Sequence, residues 1–167
     1  MIAGEVTAAP SSGGVVEGST VEGPGVAATV PEPQRAHPSY HPEVVHGPLS
    51  VRALLRVDEA LRLADAATGL TFSVYIGELG EDSRDTAQRL HARLADPDVS
   101  VLIAISPNER VLEIVTGSRA RKRILDRDAH LAAKSMVAAF SGGDLGGGIV
   151  AGIAQLADHA GRAPSDN

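Results

Sequence analysis

The chain has 167 residues, enough for one domain with a tail. A formal net charge of -6 argues against general nucleic-acid affinity, and 2% aromatic residues against base-stacking platforms. There is no cysteine, which excludes disulfides, thiolate metal sites and cysteine nucleophiles.

Residues 1–47 are rich in Gly, Pro, Ser, Val and Glu without sustained periodicity, and are expected to form a disordered leader. Met1-Ile2-Ala3-Gly4-Glu5 lacks a basic start followed by an apolar core, so no secretory signal is read there. No apolar run approaches the ~20 residues of a membrane span. A cytoplasmic location is the expectation. His37, His41 and His46 lie in this Pro-rich stretch. They read either as a metal site or as scattered linker histidines. The His-Pro pairs oppose the helical geometry that would fix them as ligands.

Pro48-Leu49-Ser50 opens the folded region, residues 48–160, with Ser50 suited to cap a helix. Leu54, Val57, Leu61 and Ala64 share one face of that helix, and Gly69 suits its left-handed end. Leu70, Phe72, Val74 and Ile76 then alternate with Thr71, Ser73 and Tyr75, the pattern of a half-buried strand. Asp82 or Ser83 caps the next helix, whose apolar stripe is Ala87, Leu90, His91 and Leu94. His91 on such a face reads as a buried, satisfied side chain or as a catalytic group.

Val99 to Ile105 is almost continuously apolar and β-branched, the pattern of a strand covered on both faces. Pro107-Asn108 supplies a turn, and Val111 to Val115 a second strand with Glu113 as its one charge. Strand, helix and strand over this distance form a βαβ unit with a right-handed crossover, followed by an antiparallel hairpin. Arg119, Arg121, Lys122 and Arg123 follow, either as a solvated surface or as an anion site. Asp126 is placed to cap a helix whose apolar face is Leu131, Ala132, Met136, Ala139 and Phe140. Asp144 caps the last helix, with Leu145, Ile149, Ile153 and Leu156 buried. Gly146, Gly147, Gly148 and Gly152 are costly in a helix, and close backbone packing is their expected use. Residues 161–167 read as a disordered polar tail. The expected fold is a small three-layer α/β sandwich, a mixed sheet with helices on both faces.

The order helix, Phe72-Ser73-Val74-Tyr75-Ile76, helix, hairpin, Leu125-Asp126 and Phe140-Ser141-Gly142-Gly143-Asp144-Leu145-Gly146-Gly147-Gly148-Ile149 resembles a TPM domain over about two thirds of the chain. More closely, it resembles a TPM-like family of uncharacterised actinobacterial proteins. The resemblance implies a βαβ-hairpin sheet between helices. Family members include proteins described as acid phosphatases, thylakoid repair factors and accessory proteins of membrane complexes. The family's acidic site positions would fall on Asp126 and Asp144, with Gly117 at the adjacent strand end. Gly117-Ser118-Arg119 departs from the family's Gly-aromatic-Gly.

Two functions follow as expectations. One is an accessory module that docks a protein through its sheet edge or basic turn. The other is a phosphatase acting on a phosphorylated small molecule. There Asp126 and Asp144 would share calcium or magnesium, because hard cations take carboxylate oxygens. Arg119, Arg121 or Arg123 would bind the phosphate.

Overall fold

The computed structural model describes residues 2–3 and 47–164. The three early histidines and most of the leader lie outside these residues, as do positions 165–167. Ser50 caps α1 (Val51–Thr68) by accepting from the Ala53 amide, and Gly69 ends it at φ 71°. The buried residues Val57, Leu61 and Ala64 are those the helical spacing placed on one face. Asp65, in the last turn, accepts from the Phe72 amide at 2.8 Å and so ties α1 to the strand that follows.

β2 (Thr71–Ile76) leads through Asp82, the cap of α2 (Ser83–Ala92), to a short 3₁₀ turn at Pro97–Val99. β3 (Ser100–Ser106) runs parallel to β2, with Phe72 opposite Val101 and Val74 opposite Ile103. It then turns through Pro107–Arg110 into β4 (Val111–Thr116), which pairs antiparallel with Ile103 opposite Ile114. A two-residue strand, β1 (Ile2–Ala3), pairs parallel with Tyr75 and Ile76. Among the described residues the sheet order is β1-β2-β3-β4, with β4 at one edge. All seven residues of β3 are buried, as its unbroken apolar run requires.

A 3₁₀ turn at Ala120–Lys122 leads to α3 (Asp126–Ser141), which is joined by a short link to α4 (Leu145–Ala160). One face of the sheet carries the main core. There Phe72, Val74, Val101, Ile103 and Ile105 meet apolar residues of α1, α3 and α4. The other face carries a smaller cluster of Leu79, Ala87, Leu102, Ala104 and Val115 beside α2. This is the three-layer mixed α/β arrangement expected. Among the described residues, no helix is long and apolar enough to cross a membrane.

The helical glycines serve close packing. A Cβ on Gly146 would stand 2.9 Å from Ala53 Cβ of α1, and one on Gly148 2.8 Å from Phe140 Cε1 of α3. The spacing of their flat faces lets α4 fit between both neighbours.

Three local expectations are corrected. Ser73 was expected on a solvent side but is buried, because α2 covers that face of the sheet. Leu131 was assigned to the apolar face of α3 but is 51% exposed; Ala132 and Met136 make the contact instead. Gly161 to Ala163 are not a free tail. The Ala163 amide donates to Ala67 O at 3.1 Å, and Gly161 O and Arg162 O accept from Arg123.

Candidate functional site

The two aspartates come first. Asp144 is the cap of α4, its Oδ1 accepting from the Gly147 amide at 2.8 Å. Asp126 is not a cap, contrary to expectation. It is the first helical residue of α3, and the Asp128 carboxylate accepts from the Leu125 amide at 3.2 Å instead. The two expected ligands of one cation are not brought together. They flank α3 at opposite ends, and its 16 residues span about 24 Å at about 1.5 Å each. Among the described residues, no three His, Asp or Glu side chains are grouped to hold a metal ion.

The basic turn divides by role. Arg123 is structural: Nη1 donates to Thr68 O at 2.5 Å, Nε to Ala160 O at 3.1 Å, and Nη2 to Gly161 O and Arg162 O at 2.7 and 2.8 Å. A guanidinium so occupied has no fork left for phosphate. It joins the end of α1, 55 residues before it in sequence, to the end of α4, 37 residues after it. Replacing Arg123 with Gln is therefore expected to lower stability by about 2–4 kcal/mol, because charged hydrogen bonds are lost together at half-buried carbonyls. Urea unfolding of the variant measures this; a loss within about 0.5 kcal/mol would return Arg123 to the list of ligand-binding groups.

Arg119 is exposed, its backbone amide bound to Asp98 O at 2.9 Å. Gly117 is buried and its amide donates to Ser100 O at 2.9 Å. It belongs to the packing of this strand end against the Pro97–Val99 turn. Arg121 differs. Its Nη2 donates to Thr116 O at 3.3 Å, and its side chain lines a groove of about 420 Å³.

That groove is the candidate site. Its floor is β4, through Leu112, Glu113, Ile114 and Thr116. α2 supplies Arg84 and Gln88, and α3 supplies Asp126, Ala129, His130 and Ala133. Sequence reasoning singled out Arg121 and Asp126 but missed Arg84 and His130. Arg84 Nη1 lies 2.8 Å from Ile114 O and 3.3 Å from Glu113 Oε2. Ser83 Oγ donates to Glu113 Oε1 at 2.9 Å. The lone charge in an apolar strand, Glu113, was the signal available. It marks a strand that something polar had to meet.

The backbone direction of β4 follows from these bonds. The Gly117 amide points inward to Ser100 O, whereas Ile114 O and Thr116 O face the guanidiniums. Backbone groups alternate in direction along a strand. Leu112, Ile114 and Thr116 therefore turn their amides away from β3, and Glu113 and Val115 turn theirs toward it. None of the outward amides donates to a side chain or loop group among the described residues. Among the described residues the groove thus runs along an open sheet edge, with two arginines over two of its carbonyls. Charged side chains at an edge are a common guard against unwanted strand pairing.

Two further polar features lie outside the groove. His91 is buried with Nε2 3.0 Å from Ser100 O, a satisfied core histidine. On the hairpin tip, Glu109 accepts from the amides of Leu79 and Gly80 at 2.8 and 2.9 Å. The Ser106 hydroxyl beside it is buried and has no partner of good hydrogen-bond geometry. Its proximity is nonetheless the leading cause that holds the Glu109 carboxyl below its ordinary value of 4.5, ahead of the Leu79 and Gly80 amides. A carboxyl lowered on folding contributes stability above its unfolded value, and that contribution is lost as pH falls through the lowered one. The loop clamp is therefore expected to hold at neutral pH and release below about pH 4.5. In NMR titrations the Leu79 and Gly80 amide shifts should move with a midpoint below that value, and not at all in Glu109→Gln. A midpoint at or above it would refute the clamp.

The fold and groove define a class, a small α/β domain with an open sheet edge flanked by helices. A family model, Domain of unknown function (DUF5130), matches residues 16–157, and the chain belongs to that family. It is 35% identical over 120 residues to Uncharacterized protein Rv2468c of Mycobacterium tuberculosis (strain ATCC 25618 / H37Rv), covering 72% of this chain and 71% of the relative. The same identity and coverage hold for Uncharacterized protein MT2543 of the CDC 1551 / Oshkosh strain. Among solved structures, BA42 from Bizionia argentinensis is similar with a TM-score of 0.58 at 16% identity, over 71% of this chain and 87% of that one. The N-terminal domain of cg2496 from Corynebacterium glutamicum is similar with a TM-score of 0.59 at 16% identity, over 71% and 78%. At this identity the two structures share the fold.

Proposed function

We propose that the chain is a TPM-like accessory module that docks a protein partner in the groove along β4. The observation that supports this is the groove floor: an open sheet edge whose outward amides lie between two helical walls. Backbone groups at an open edge are a general means of holding another chain. The rim adds side chains of both signs, Arg84 and Arg121 against Glu113 and Asp126. Such a mixed rim suits selection among partners.

Photo-crosslinking tests the proposal. A crosslinking residue at Gln88 or at Ala133, on opposite walls, is expected to capture one and the same protein in the native host. A crosslinker at Glu59, an exposed position on α1, should not. Identical captures from all three positions would refute the reading. Phosphomonoester hydrolysis that needs calcium or magnesium and disappears in Asp126→Asn would replace it with the phosphatase.

A further inference from the structure

The groove's own bonds say what kind of segment fits it. Ile114 and Thr116 are two residues apart on an edge strand, and both offer outward carbonyls and outward amides. Their carbonyls accept from Arg84 Nη1 at 2.8 Å and Arg121 Nη2 at 3.3 Å. Both arginines are mainly exposed side chains reaching in from neighbouring elements, Arg84 from α2 and Arg121 from the turn after β4. An incoming strand would supply amides to those carbonyls and carbonyls to the amides of Leu112, Ile114 and Thr116. Strand addition of this kind gives affinity through the main chain and specificity through side chains.

Adding a strand displaces two guanidiniums from their acceptors. A displaced guanidinium in a groove needs a new partner, and a carboxylate matches its fork. The local charge favours the same partner. Of the acidic groups facing the groove, Glu113 is engaged by Ser83 and Arg84. Asp126 sits in the first turn of α3, where the helix dipole accommodates it. Arg84, Arg121 and His130 face the groove, and Arg119, Lys122 and Arg127 stand exposed close by in sequence to Arg121 and Asp126.

We propose that the groove receives an extended acidic segment of the partner protein, which adds as a strand to β4 and draws Arg84 and Arg121 onto its carboxylates. This rests on the docking reading above and names the chemistry of the docked segment. Arg84 and Arg121 then have two states. In the free protein they cover the edge and discourage indiscriminate pairing. In the complex they recognise acid. A basic or apolar strand would displace them without compensation, so the same two residues select against it.

The probe is a capped six-residue peptide alternating Glu and Val, compared with a Lys and Val counterpart, added to the full chain. Amide hydrogen exchange is read by NMR. With the acidic peptide at saturation, exchange at Leu112, Ile114 and Thr116 is expected to slow by about tenfold or more, while Glu113 and Val115 stay as protected as before. The Lys peptide should leave all five unchanged. In the Arg84→Gln, Arg121→Gln double variant, whose altered side chains are mostly exposed, the preference for the acidic peptide should fall by about fivefold to tenfold. An acidic peptide N-methylated at every residue, so that neither of its edges can donate to β4, should give no protection. Equal binding of the methylated peptide, or protection without alternation, would overturn strand addition. Concentration-dependent protection of the same amides without any peptide would assign the edge to a second copy of the chain and overturn the acidic partner. Absence of binding by either peptide overturns the inference as well. A common protein crosslinked from Gln88 and Ala133 would in that case still support the docking module.

Discussion

Truncating Ile103 to alanine is expected to cost about 2–5 kcal/mol, the range for large-to-small changes in a closed core. Ile103 is 0% exposed and belongs to the main core cluster with Val74, Val101, Met136 and Ile153. Its strand lies between two others, with Val74 of β2 and Ile114 of β4 opposite Ile103. A strand bonded along both edges has little freedom to move into the void, so the cavity term persists. Leu131→Ala is the matched control. Leu131 is 51% exposed on α3, and its loss should stay within about 0.5 kcal/mol. Urea unfolding measures both. The midpoint of Ile103→Ala should fall with the slope unchanged, which keeps the effect in the native state. A cost below about 0.5 kcal/mol would mean that β3 is not the covered centre of the sheet.

What was legible in the chain was whatever depends on neighbouring residues. Ser50, Gly69, Asp82 and Asp144 stand where their chemistry predicts, because a cap satisfies amides or carbonyls within a few residues of itself. The continuous apolar run of β3 marked a strand covered twice, and the Pro107-Asn108 turn fixed its partner. Leu131 was misread because periodicity gives the angle between side chains but not which arc meets a neighbour. Ala132 and Met136, also on the expected face, lie about 40° apart on the arc that meets α4 and the sheet, whereas Leu131 lies about 100° away from Ala132.

The site was less legible, since it is made of long-range meetings. Charge density flagged Arg121 and Arg123 alike. Only the fold shows that the chain end returns to Arg123, 38 residues on at Gly161. Arg84 reaches across to β4 from a helix 30 residues earlier in the chain. No spacing rule connects those positions. The pairing of Asp126 with Asp144 is a different kind of error. A link as short as Gly142 to Asp144 leaves successive helices antiparallel, so their N-termini fall at opposite ends. That conclusion was available from the sequence, and the shared-cation reading overlooked it.

Replacing Gly117 with alanine is expected to cost about 3 kcal/mol, the upper end for inserting one methyl into packed structure. The added Cβ would overlap Pro97 O and stand 2.5 Å from Asp98 O. Both are backbone atoms of the turn that leads into β3, and both are held: the Arg119 amide binds Asp98 O at 2.9 Å, and Ser118 Oγ binds Asp98 Oδ1 at 2.8 Å. Relief requires parting the start of β3 from the end of β4. Gly152 offers the comparison. A Cβ there would also overlap a neighbour, but that neighbour is the Met136 side chain. Methionine has three rotatable bonds with which to move. Alanine in a helix also recovers up to about 1 kcal/mol of propensity over glycine. Met136 is fully buried and its Cγ too would stand 2.6 Å from the new Cβ, so Gly152→Ala should still cost about 1–2 kcal/mol, against about 3 kcal/mol for Gly117→Ala. Paired thermal and urea unfolding distinguishes them. If Gly117→Ala kept full stability yet abolished crosslinking from Gln88 and Ala133, Gly117 would be a binding residue, and the close approach of Pro97 would not be the reason glycine stands there.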